Sequence, residues 1–185
     1  MLIDEEGRIA LQTARRAIEH AVNGETYAPD NLPGIFDEKR GVFVTIKKRG
    51  DLRGCIGLPY PVKSLGEALV EAAVSAALQD PRFPPVSGRE IPDIDLEVTV
   101  LTAPEPLACP PVDRPEHVVI GKHGLIVSGL GTSGLLLPQV PVEYNWETRE
   151  FLDYTCKKAG LMAGCWKRSD VNVLTFEGQI FEEEA

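Results

Sequence analysis

The chain has 185 residues, of which 19 are basic and 28 acidic, giving a formal net charge of −9 at pH 7. A content of 43% hydrophobic and 25% charged residues matches a globular protein rather than a disordered or fibrous one, and a chain near this length buries about 70% of the surface it exposes unfolded. The acidic balance makes nucleic acid an unfavourable partner and disfavours anionic membranes, because phosphates reward clustered Lys and Arg. The start, Met1 to Glu6, lacks the positive region of a signal peptide. No apolar run approaches the roughly 18 residues of a spanning helix, so a cytoplasmic protein without membrane contact is expected.

From Asp4 to Val22 the apolar residues Ile9, Ala14, Ile18, Ala21 and Val22 recur near helical spacing, and Asn23-Gly24 supplies a left-handed stop. Gly24 to Arg40, with Pro29, Pro33 and Gly34, has no clear period and is long for a structureless loop, a type of segment that is often functional. Gly41 to Lys48 alternates Val42, Val44 and Ile46 against Phe43, Thr45 and Lys47, the pattern of a strand that turns back at Arg49-Gly50-Asp51. That triplet matches an adhesion motif, but without an export signal the turn reading prevails. Ser64 and Glu67 form a capping box ahead of a helix over Ala68 to Leu78, which Asp80-Pro81-Arg82-Phe83-Pro84-Pro85 ends. Ile94, Leu96, Val98 and Val100 alternate with polar residues in a further strand. A proline-rich connector from Pro104 to Pro115 follows, which has the composition of a boundary between subdomains.

Three short β segments are expected around His117 to Ile120, Gly124 to Ser128 and Gly134 to Leu137. Leu135 to Val142, with Pro138 and Pro141, reads as extended chain. Asn145 or Thr148 is placed to cap a last helix whose stripe is Phe151, Leu152, Thr155, Cys156 and Ala159, with Gly160 ending it. A final strand from Val171 to about Phe181 precedes an acidic tail. The organisation is α+β, helices on an antiparallel sheet, in a single domain.

Gly129 to Gly134 matches G-x-G-x-x-G, but the following prolines deny it the helix a dinucleotide site requires, so it reads as a hairpin turn. No cofactor is expected. The cysteines, Cys55, Cys109, Cys156 and Cys165, are scattered, and free thiols are the default in a chain large enough to hold a core without staples. The closest pair, Cys156 and Cys165, lacks zinc-site spacing, so no metal is expected, and Cys156 reads as core.

Leu52-Arg53-Gly54-Cys55-Ile56-Gly57 is the most informative stretch. Two glycines bracket a thiol and allow close approach of a ligand. In extended chain Arg53 and Cys55 share a face, and a guanidinium there favours thiolate. The competing reading is a small buried packing residue. A nucleophilic cysteine needs a base and an orienting group. His20 suits the helix end and His117 a connector, which leaves His123, between glycines, as the base candidate. Glu143, ahead of the last helix, is a candidate orienter or acid.

The stretches Gly41 to Ile46, Leu52 to Gly57, Asp80 to Phe83 and Gly121 to Leu125, with Leu137-Pro138, Glu143 and Trp146, resemble the AMMECR domain family in order, over about Ala10 to Phe181. The resemblance implies a larger and a smaller subdomain around an antiparallel sheet, with a cleft beside the Leu-Arg-Gly-Cys-Ile-Gly signature. No established reaction comes with it. It implies a candidate active-site cluster at Cys55, His123 and Glu143. Cys55 is then the nucleophile, His123 the general base, Glu143 the orienter or second acid, and Arg53 a thiolate stabiliser or anion clamp, with Asp80 and Arg82 at the rim. Asn145 stands where many members have glycine, and the Cys156-Lys157-Lys158-Ala159-Gly160 run is shared with part of the family. The resemblance also implies a pathway shared with a Memo-like protein and a radical S-adenosylmethionine protein. The alternative is a noncatalytic regulatory or protein-interaction module.

Overall fold

A computed structural model describes residues 1–183, so Glu184 and Ala185 of the acidic tail lie outside the described residues. The chain divides into two compact units, the first formed by Met1–Leu101 with the C-terminal segment from Gln179, the second by Thr102–Gly178.

The first unit opens with helix α1 (Asp4–Val22), whose small and apolar face, Ala10, Ala14, Ala17 and Ile18, is fully buried. Gly24, at φ 75°, turns the chain out of it. A 3₁₀ turn at Gly34–Asp37 interrupts the expected long loop and buries Phe36. Strands β1 (Val42–Lys48) and β2 (Asp51–Leu58) form a hairpin around Arg49 and Gly50, at φ 55° and 85°. This is the two-residue turn whose twist suits antiparallel strands. Helix α2 (Leu65–Leu78) starts at Ser64, whose hydroxyl accepts from the Glu67 N–H, so the expected capping box forms. Strand β3 (Ile94–Leu101) completes the alternation, and the sheet order is β2-β1-β3-β8, where β8 is Gly178–Glu182. Val42, Val44 and Ile46 of β1 and Ile94, Leu96, Val98 and Val100 of β3 form one core with α1 and α2.

The second unit holds a sheet of order β4-β7-β5-β6, from β4 (Glu105–Pro106), β5 (Gly124–Gly129), β6 (Thr132–Leu136) and β7 (Asn172–Phe176). Leu130 and Gly131, at φ 54° and 81°, make the β5–β6 turn, so the glycine-rich motif is the hairpin expected of it. Helix α4 (Thr148–Lys158) packs on β5 and β6 and buries Phe151, Leu152, Thr155 and Cys156.

Several expectations need correction. His117 to Ile120 is not a strand: His117 closes a 3₁₀ helix, Pro111–His117, and the chain then turns so that the His123 N–H reaches the Val119 carbonyl at 2.9 Å. Gln139–Glu143 forms a short helix, α3, where extended chain was expected. Pro138 and Pro141 fall at its start, where a missing N–H costs nothing. Neither Asn145 nor Thr148 caps α4. The capping position is Glu147, whose N–H donates to the Glu150 carboxylate at 2.9 Å. Asn145 instead takes φ 52°, the left-handed conformation that glycine adopts most easily and Asn tolerates. The single final strand is two, β7 and β8, in different sheets, parted at Glu177, whose N–H donates to Thr102 Oγ1 at 2.9 Å. Cys156 and Cys165 are not free thiols. They form a disulfide, with Cα atoms 5.9 Å apart, because Gly160 (φ 75°) and Gly164 (φ 80°) bend the chain back on the end of α4. Cys55 and Cys109 are free.

Candidate functional site

The two-residue turn fixes the start of the β1–β2 register, with Lys48 opposite Asp51 and Lys47 opposite Leu52. An unbroken ladder would continue by setting Val44 opposite Cys55, on the core side of the sheet. The ladder is broken: Arg53 is an extra residue between Leu52 and Gly54, and beyond it Ile46 faces Gly54, Thr45 faces Cys55 and Val44 faces Ile56. This β-bulge exchanges the two faces of β2 downstream of it. Gly54 falls on the core side, where a Cβ atom would lie 2.3 Å from the Ala76 carbonyl oxygen of α2. Cys55 moves to the opposite side and is half-buried beside Thr45, whose hydroxyl donates to its sulfur at 3.3 Å. Gly57, on the same side, leaves its Cβ position to the ring of Phe43.

β2 is an edge strand, and at Cys55 two side chains take the place of a neighbouring strand. The Cys55 N–H donates to Asp80 Oδ2 at 2.8 Å, and the Cys55 carbonyl accepts from Arg82 Nη2 at 3.2 Å. Arg82 also grips Asp80 through Nε, at 2.9 Å to Oδ1, and through Nη2, at 2.7 Å to Oδ2. The Arg82 guanidinium holds the buried Asp80 carboxyl well below the usual carboxylate range, and the N–H groups of Cys55 and Arg82 add to the effect against the cost of burial. The same ion pair raises Arg82. Asp80-Pro81-Arg82-Phe83 is thus a clasp on the cysteine's own backbone.

The bulge also separates Arg53 from Cys55, contrary to the shared face expected of an extended chain. Arg53 donates through Nε to Glu90 at 3.1 Å and through Nη1 to the Pro84 carbonyl at 2.9 Å, and Nη2 reaches Glu90 and the Pro85 carbonyl. Arg53, the Ser87 N–H and Lys48 together push the Glu90 carboxyl well below its ordinary value. Arg53 is therefore committed to the chain that follows α2, and its geometry is that of a brace rather than of a thiolate stabiliser. Arg82, half exposed and with no bond to Nη1 among the described residues, is the cation at Cys55 with donors to spare.

His123 and Glu143 belong to the second unit. His123 Nδ1 accepts the Val119 N–H at 3.2 Å, so the neutral imidazole carries its proton on Nε2, which lies 4.0 Å from the Glu177 carboxylate. Lys122 Nζ lies 3.3 Å from the same carboxylate. The backbone thus occupies Nδ1, and Nε2 faces the Glu177 carboxylate beyond hydrogen-bond distance. Glu143 is exposed at the end of α3 and makes no side-chain hydrogen bond or ion pair among the described residues. The carboxylate that addresses His123 is Glu177, which sequence reasoning missed because it sits in the break between β7 and β8, read as one strand. Thr45 was missed because its pairing with Cys55 depends on the bulge. No group of three or more potential metal ligands occurs among the described residues, and no helix there is long and apolar enough to cross a membrane.

Helices packed on two sheets, with a bulged, cysteine-bearing edge strand clasped by an Asp-Arg pair, define an α+β protein of a recognisable type. The chain belongs to the AMMECR1 family, whose model matches residues 11–181. It is 51% identical over 185 residues to a protein of Methanocella arvoryzae, covering 99% of this chain and 93% of that one. It is also 51% identical over 183 residues to a protein of Methanothermobacter thermautotrophicus, covering 97% and 95% of the two chains. The crystal structure of an uncharacterised protein from Pyrococcus horikoshii superposes with a TM-score of 0.80 at 46% identity, covering 99% of this chain and 94% of that one.

Proposed function

We propose that the protein is an enzyme that acts through the Cys55 thiol, as a nucleophile toward an electrophilic carbon of an anionic substrate. The observation that carries this reading is the bulge at Arg53, which takes Cys55 off the core side of β2 and sets it beside the Thr45 hydroxyl. Bulges recur next to active sites because they re-aim one side chain. A packing cysteine needs neither the bulge nor the hydroxyl. The Asp80–Arg82 clasp fixes the backbone on both sides of the sulfur, so the nucleophile is positioned before substrate arrives. Arg82 Nη1 offers two uncommitted N–H donors for an oxyanion on the substrate. In the step itself the sulfur bonds to carbon, the displaced group leaves with the electron pair of its broken bond, and the thiol proton passes to solvent.

The test is capture of Cys55 by carbon electrophiles, with and without a carboxylate, under native conditions. The site reading predicts a covalent adduct on the peptide carrying Cys55, faster for the carboxylate-bearing reagent, with that preference lost in Arg82→Leu. Cys55→Ser should abolish the adduct and leave the unfolding midpoint nearly unchanged. If the folded protein is inert and Cys55→Ser costs stability instead, the noncatalytic module becomes the better account.

A further inference from the structure

The segment that leaves α1 and returns toward β1 builds a second site, independent of Cys55. Gly24 (φ 75°) and Asn31 (φ 56°) turn it back along α1. The Tyr27 ring stacks on His20, with centroids 5.3 Å apart, while Tyr27 and Leu32 both pack against the core of the first unit. Held in this way, the stretch Tyr27 to Pro33 and one face of α1 line a half-open cleft of about 280 Å³.

Its lining has two characters. Ile9 and Leu32 with the rings of Pro29 and Pro33 supply apolar wall, whereas Gln12, Thr13, Arg16 and Tyr27 bring hydrogen-bond donors and Asp30 brings a carboxylate. Among the described residues these side chains make no hydrogen bond or ion pair. Thr13 is only 3% exposed, and its hydroxyl, which has no side-chain hydrogen bond among the described residues, is not sealed from solvent. Arg16 likewise forms no ion pair among the described residues, in contrast to its neighbour Arg15, which is bound to Glu183.

We propose that this cleft binds a small α-amino carboxylate with an aliphatic side chain. The planar guanidinium of Arg16 matches a carboxylate in a two-pronged contact, and the Thr13 and Tyr27 hydroxyls add neutral donors. Asp30 accepts the ammonium. Its negative charge in the same lining, together with a single arginine, disfavours a phosphate dianion. The prolines and Ile9 receive the aliphatic part, and the volume suits a ligand below drug size.

The experiment is a nuclear magnetic resonance titration of the full-length protein with L-leucine. Three comparison ligands are used: isopentylamine, which lacks the carboxylate, 4-methylpentanoate, which lacks the amine, and inorganic phosphate. Leucine should give saturable shifts at the amides of Gln12, Thr13 and the 27–33 segment, with each half-molecule at least about tenfold weaker. Arg16 is exposed and unpaired, so Arg16→Met should fold normally and weaken leucine by about tenfold, the effect of one charge-assisted contact. Thr13→Ser, which keeps the hydroxyl, should bind leucine as the parent does. No saturable change with millimolar leucine, unchanged binding in Arg16→Met, or phosphate bound as tightly as leucine would each overturn the proposal. Because Cys55 takes no part, these outcomes are separable from those of the thiol experiment.

Discussion

The two hairpins of this protein begin alike and end differently. Each turns on two residues of positive φ, Arg49-Gly50 in the first unit and Leu130-Gly131 in the second. From Gly129 opposite Thr132 to Leu125 opposite Leu136, the second ladder runs without a break, so its faces alternate as simple counting requires. The first ladder slips by one residue at Arg53, and Cys55 changes sides. Each hairpin also presents a glycine to the end of its covering helix: a Cβ at Gly54 would meet the Ala76 carbonyl at 2.3 Å, and one at Gly134 would meet the Ala159 nitrogen at 2.2 Å. The shared glycine is packing architecture. The bulge is present in one hairpin alone, and with it the faces of β2 exchange where those of β6 do not.

The largest expected effects lie at the two packed glycines. Gly54→Ala and Gly134→Ala each push a methyl group into backbone that cannot yield, and each should cost about 3 kcal/mol in chemical denaturation, at the upper end of overpacking effects. A loss below about 1 kcal/mol in either would show that the helix moves freely over the sheet. Next comes the disulfide, which only the second unit has. Closing a loop this short by Cys156–Cys165 is worth about 2–3 kcal/mol, so Cys156→Ala/Cys165→Ala should lower the midpoint of tryptophan fluorescence. Both tryptophans, Trp146 and Trp166, lie in the second unit, so that signal reports on it directly.

Asp80→Asn removes the charge from the clasp and should cost about 1–3 kcal/mol at neutral pH, the range for a bond between a charged pair and a buried partner. The sign of its pH dependence follows from the depressed carboxyl. Folding pulls Asp80 below its unfolded value near 3.8, so its stabilisation is complete above that pH and is lost as pH falls toward the folded value. The gap between parent and Asp80→Asn should therefore be constant above about pH 5 and close below about pH 4. Thr45→Val should have the smallest effect on folding, under about 1 kcal/mol at a half-buried site. It should nevertheless change the labelling rate of Cys55, whereas Ser133→Val, at a paired position on the unbulged hairpin, should leave that rate alone.

The elements that sequence made legible are those governed by local chemistry. α1 ends where Asn23-Gly24 predicts, Ser64 and Glu67 cap α2, and the buried stripe of α4 is the one its spacing marks. Both turns of positive φ were readable from their glycines. What escaped was set by distant partners. With the Arg49-Gly50 turn fixing the strand start, the bulge sets Gly54 against Ala76 and Cys55 on the opposite side, and no periodicity within β2 records that exchange. The disulfide required two left-handed glycines to bring Cys165 back to Cys156, which residue spacing alone does not reveal. Simple alternation puts Arg53 on the face of the thiol, and the bulge falls at the one position where that alternation fails. Asp80 and Arg82 are expected at the rim of the site, and the structure shows them bonded to the Cys55 backbone. Their part in holding the Cys55 backbone depends on β2 lying at the edge of its sheet.

The most direct measurement is the rate of Cys55 alkylation as a function of denaturant below the unfolding transition, read by peptide mass spectrometry. A cysteine turned out of the core by the bulge should be modified in the native state at a rate nearly independent of denaturant, well before tryptophan fluorescence or far-ultraviolet circular dichroism changes. If labelling instead waits for global unfolding and its rate climbs in step with the unfolded fraction, Cys55 is a packing residue and the account of the site is wrong.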